Sequence, residues 1–134
     1  MNNTLFSFPL KTERTGFFDI TDKVNEFIKQ SGVQEGICLI YCPHTTASIT
    51  INENADEFVA KDVDFAMNKI FPKMPEFRHD EGNSDCHVKC SVMGASEMVI
   101  ISGGKLLLGR WQAIYFAEFD PPRSRTVYIK IIEG

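Results

Sequence analysis

The chain has 134 residues, of which 43% are hydrophobic and 24% charged, with a formal net charge of −4. That length suits a single domain, 1–134, burying roughly two thirds of the surface its unfolded chain exposes. The acidic balance argues against a nucleic-acid partner, whose docking face would be basic. No run approaches the roughly 18 apolar residues of a membrane span.

The opening stretch MNNTLFSFPLKTERTG lacks the basic and apolar regions of a signal peptide. A cytoplasmic chain with reduced cysteines is therefore expected. Asp19-Ile20-Thr21-Asp22 reads as the start of a helix, with Val24, Phe27 and Ile28 as its apolar stripe and Gly32 as its stop. Residues 37–42, ICLIYC, are continuously apolar and predict a strand buried on both faces. In the following YCPHTTASITINE, the residues His44, Thr46, Ser48, Thr50 and Asn52 alternate with Thr45, Ala47, Ile49 and Ile51. As a strand, this puts an imidazole and small polar groups on one face, with none of the Lys, Arg or Glu of an ordinary solvated face. Such a face suits the floor of a site or the packing surface for a neighbouring subunit.

Asn54 is placed to cap a second helix that buries Val59, Val63, Ala66, Met67 and Ile70, with Pro72 ending it. Residues 71–85, FPKMPEFRHDEGNSD, read as one long irregular connection, of a length that is often functional. The period then changes to two. Cys86, Val88, Cys90 and Val92 form one row and His87, Lys89 and Ser91 the other, which predicts a strand. Residues 98–101 and 105–108 flank Ser102-Gly103-Gly104, a hairpin signal, and 111–119 and 126–132 read as two more strands. Seven or eight strands with two helices in the first half predict an α+β fold of mainly antiparallel, sandwich-like sheets.

The chain has three histidines: His44, His79 and His87. They read either as three surface imidazoles or as a converging site, since three neutral imidazoles around an open position is a recurring catalytic zinc arrangement. Spacing alone leaves both readings open. Cys38 and Cys42, and likewise Cys86 and Cys90, are four apart, about 13 Å along a strand. That is too far for each pair to ligate one ion, so the thiols read as small buried hydrophobes. Glu53 follows the polar row, and Asp80, Glu81 and Asp85 lie between His79 and His87. A carboxylate in either place could orient a ligating histidine, act as a general base or bind a hard cation. After Pro121-Pro122, Arg123 and Arg125 offer planar forks for carboxylate or phosphate, or else pair with Glu118 and Asp120.

Together these segments resemble the YjbQ-like family, often labelled secondary thiamine-phosphate synthase. The likeness runs from about Gly16 to the C-terminus. It is carried by HTTASITINENAD (44–56), RHDEG (78–82), HVKCSVMGAS (87–96) and LGRWQAIYFAEFD (108–120), with Arg123. The resemblance implies a homotrimer of α+β domains, a divalent metal, and His44, His79 and His87 as its ligands. Zinc suits imidazole better than magnesium, which favours oxygen ligands. It also implies a transferase-like enzyme acting on a phosphorylated small molecule. Glu53 or Asp80 would be the acid/base, Lys89, Arg110, Arg123 and Arg125 would neutralise phosphate, and Trp111 would stack on a ring. A metal- or ligand-binding module without turnover would use the same histidines. Pro121 and Arg110 stand where the family commonly has glycine and threonine, and the spacer between His79 and His87 is short.

Overall fold

A computed structural model of the chain describes residues 4–134. Its elements, in order, are β1 (Leu5–Thr12), β2 (Gly16–Asp19), α1 (Thr21–Ser31), β3 (Gly36–Tyr41), β4 (Ala47–Glu53), α2 (Glu57–Ile70), α3 (Ser84–Met93), β5 (Ser96–Ser102), β6 (Lys105–Leu106), β7 (Gln112–Glu118) and β8 (Arg123–Glu133). The strands make two antiparallel sheets, one ordered β1-β8-β3-β5-β6 and the other β2-β7-β4. The fold is α+β. Among the described residues, no helix is long and apolar enough to cross a membrane.

The main core lies between the sheets. Phe8, Cys38, Ile40, Val99, Ile101, Val127, Ile129 and Ile131 point inward from the larger sheet to meet Ile49, Ile114 and Phe116 from the smaller. Helix α1 adds Val24, Phe27 and Ile28. Its start is held by Asp19, whose Oδ1 accepts the Thr21 N–H at 2.9 Å, and Gly32 ends it at φ 72°. The two-residue turn between β5 and β6 needs positive φ at both positions, which Gly103 and Gly104 supply at 60° and 76°.

A second, smaller cluster lies behind the three-stranded sheet, where Cys86, Cys90, Met93 and Met67 meet Phe17, Ala117 and Phe119. Here the structure corrects the sequence reading. Residues 84–93 form helix α3, not a strand, because Cys86, Cys90 and Met93 fall on one helical face against β7. Irregular chain therefore ends at Asn83, before the expected 85. The strand buried on both faces is β7, not β3. β7 is sandwiched between the core and the helices, whereas Ile37 and Tyr41 of β3 lie exposed on the outer face of the large sheet.

Other corrections are local. Asp56, not Asn54, caps α2, with its Oδ1 accepting the Phe58 N–H at 2.9 Å, while Asn54 reaches Asp19 instead. Val59, Val63, Ala66 and Met67 are only half-buried and Ile70 is exposed, because α2 lies loosely across its sheet. β4 begins at Ala47, so His44 and Thr46 precede it, and β6 stops at Leu106.

Candidate functional site

The polar row divides among three environments. Ser48 is covered by α3 and donates to the Cys90 carbonyl at 3.3 Å. Thr50, Asn52 and Glu53 line a cavity of about 30 Å³ with Val59 and Val63 of α2. His44 and Thr46, just before β4, open instead into a cleft of about 430 Å³. His79 and Glu81 from the 71–83 connection, Asn83 and His87 at the start of α3, and Arg123 and Arg125 of β8 complete its lining. Positions 35 and 8 residues apart in sequence thus line one cleft from three parts of the fold.

The His79 and His87 rings stand 5.2 Å apart, centroid to centroid, at 83°. Two imidazoles on one tetrahedral ion would have centroids about 5 Å apart, given ligand distances of about 2.0–2.1 Å. The same spacing is that of an edge-to-face contact between two rings. Among the described residues, no three His, Cys, Asp or Glu side chains stand close enough to hold a metal together. The third imidazole is held elsewhere, since the Thr126 N–H donates to His44 Nε2 at 2.9 Å. Ligation through that nitrogen requires the His44 ring to leave the Thr126 amide. Burial, and then the Arg125 charge, hold His44 below the usual histidine value, so it stays neutral, as a ligand must.

Arg125 is buried, and it is committed. It pairs with the fully buried Glu118 through Nε at 2.8 Å and through a second, shorter contact, and donates to Thr46 Oγ1 at 3.0 Å. Thr12 Oγ1 and the Asp120 N–H also donate to Glu118, at 2.5 and 2.9 Å. This network closes one end of the sandwich directly beneath the cleft. Burial alone would raise the Glu118 pKa, but the bonds from Arg125 and Thr12 outweigh it and hold the carboxyl below its usual range. Arg123 is exposed and donates to Asp120 Oδ2 at 2.6 Å and to the Asp120 carbonyl at 3.1 Å. Its Nη1 has no partner among the described residues and is free for an anion.

The remaining candidates lie outside the cleft. Glu53 sits at the far end of β4, about 20 Å from Ala47 at strand rise. Arg110 lies over the Trp111 ring at 4.5 Å, in the turn before β7. Lys89 is buried, donates to Asn68 Oδ1 at 2.6 Å and lies 3.8 Å from Asp85, tying α3 to α2. Asp80 is exposed, and its neighbour Glu81 takes the place at the cleft. Asn83, absent from the sequence reading, lines the cleft; its one sequence signal was its position before the α3 start Ser84-Asp85. The cysteines are core groups. Burial pushes Cys38 up to about 12 and Cys42 and Cys86 to about 11, far from reactive thiolates.

Fold and cleft define a two-sheet α+β protein whose three histidines share an open cleft with a free arginine edge. The chain belongs to the YjbQ-like UPF0047 family, whose description, "UPF0047 protein YjbQ-like", matches residues 7–134. It is 52% identical to UPF0047 protein YugU of Bacillus subtilis, over 90% of this chain and 92% of that one. It is 51% identical to UPF0047 protein MJ1081 of Methanocaldococcus jannaschii, over 96% of this chain and 94% of that one. Among solved structures, an uncharacterized conserved YjbQ/UPF0047 protein of Clostridium acetobutylicum matches with a TM-score of 0.92 and 51% identity, covering 95% of this chain and 99% of that one.

Proposed function

We propose that the chain is a metal-dependent enzyme acting on a small phosphorylated molecule, with thiamine-phosphate formation as a candidate reaction. The observation that carries this reading is that His44, His79, His87 and Arg123 line one cleft. The histidines would hold the metal, with zinc favoured by three nitrogen donors and magnesium the lesser alternative. A bound ion of this kind would polarise a phosphoryl oxygen. Arg123 would clamp the phosphate through its free edge. Glu81 is the carboxylate placed to move a proton there, since Glu53 and Asp80 do not line the cleft.

That same placement of Glu53 and Asp80 favours a second reading, a metal- or ligand-binding module without turnover. Complementation of a thiamine auxotroph separates the two. The enzyme reading expects growth with the wild type and none with Glu81→Gln, while metal content is unchanged. Equal growth with both proteins would remove the catalytic role of Glu81, and no growth with either would remove thiamine-phosphate formation.

The working unit in this reading is a homotrimer assembled through the outer face of the large sheet. Ladder pairing sets Ile132, Ile37 and Ile100 in one row, Lys130, Leu39 and Met98 in the next, and Tyr128, Tyr41 and Ser96 in a third. Lys130 is the one charged side chain in these rows, and Met98 and Ile100 are 63% and 58% exposed. A largely apolar exposed face of this kind suits a contact between copies of the chain. Ile100→Lys should leave the fold intact but convert trimer to monomer in light scattering. An unchanged trimer mass would place the contact elsewhere.

A further inference from the structure

Helix α2 stands off its sheet. None of its residues is fully buried, although Val59, Val63, Ala66 and Met67 form a half-buried apolar stripe. Two adjoining hollows occupy the gap, and Phe17 of β2, Ala60 of α2 and Tyr115 of β7 wall both of them. The inner hollow is the 30 Å³ cavity lined by Thr50, Asn52 and Glu53. The far half of the polar row in β4 thus lines this gap and not the histidine cleft. Its size suits a water or an ammonium group, not a ring. The outer hollow, of about 590 Å³, is within the range of small-molecule sites.

The walls combine aromatic surface with an excess of negative charge. The Phe17 and Tyr115 rings meet edge to face, with centroids 5.9 Å apart. Asp19, Glu53, Glu57 and Asp64 line the two hollows, against Arg14 and Lys61. Both cations are engaged. Arg14 lies over the Phe18 ring at 4.3 Å and donates to the Thr15 carbonyl at 3.1 Å. Lys61 lies over the Phe58 ring at 5.3 Å and 3.9 Å from Glu57. Among the described residues, Glu53 and Asp64 form no ion pair. Burial, and then the Asp19 and Glu53 charges, hold the Tyr115 hydroxyl above the usual tyrosine value. Burial also raises Asp64, by more than Lys89, the Thr15 bond and Arg14 offset. A cation brought into the gap would be favoured by all of these carboxylates.

We propose that the gap between α2 and the three-stranded sheet is a second ligand site, separate from the histidine cleft, for a small aromatic amine. The ammonium group enters the inner cavity and donates to the Glu53 carboxylate. The ring stays in the outer hollow against Phe17 and Tyr115. Backbone amide shifts on titrating the wild type with benzylamine, its neutral isostere benzyl alcohol, and benzoate test this. Benzylamine should bind about tenfold more tightly than benzyl alcohol, benzoate should bind most weakly, and the shifts should fall in β2, β4 and α2. Glu53→Gln should reduce benzylamine to the level of benzyl alcohol, and Ala60→Phe, which fills the junction of the hollows, should abolish binding. The wild-type series and Glu53→Gln decide the matter should Ala60→Phe fail to fold. Equal binding of benzylamine and benzyl alcohol, or binding of neither, overturns the proposal. So do shifts confined to the surroundings of His44, His79 and His87.

Discussion

Arg125→Met should destabilise the fold by about 3–5 kcal/mol, measured by urea unfolding, because it strands a carboxylate in the sandwich interior. Glu118 is fully buried, and its oxygens take bonds from Arg125, Thr12 and the Asp120 amide. The loss belongs to the unpaired charge more than to the pair. Glu118→Leu combined with Arg125→Met should therefore cost clearly less than Arg125→Met alone, a coupling that a double-mutant cycle measures.

The same pair sets an acid limit. The folded pKa of Glu118 lies below its unfolded value, so its contribution is complete above the unfolded carboxylate pKa of about 4.3. It is lost as pH falls through the folded value. Wild-type stability should fall through this acid range, and the double variant should fall less steeply. Equal slopes would show that Glu118 titrates no differently in the folded chain.

The second large effect concerns the histidines. Removing an outer-sphere partner of a metal typically costs 10–100-fold in affinity, so losing a ligand should cost more than about a hundredfold. His79→Ala and His87→Ala should each weaken zinc binding by that much in a chelator competition, since their rings already stand at 5.2 Å. His44→Ala should lose less, because recruiting His44 first breaks its bond from the Thr126 amide.

Much of the fold was legible in the residues, and the failures have physical causes. The α1 stripe follows the helical period, and Gly103-Gly104 is a turn signal with no competing reading. Cys86 and Cys90 are ambiguous, since a spacing of four suits both a strand row and a helix stripe. The start at Asn83-Ser84-Asp85 and the stop at Gly94 were the signals that decide for the helix. An apolar run such as ICLIYC shows that a strand can be buried twice, but not what lies on its outer side. The histidines were legible as residue types, and their convergence was not, because His79 lies in irregular chain without a period. Glu81 in place of Asp80, and Asn83 beside them, escaped for the same reason.

Metal content per chain is the decisive measurement for a metal site at His44, His79 and His87. The purified protein, exposed to zinc and then desalted, should retain about one ion per chain by elemental analysis. His79→Ala and His87→Ala should retain almost none while remaining folded. A wild type that retains no metal, or full occupancy in all three histidine variants, would rule out a histidine-held metal.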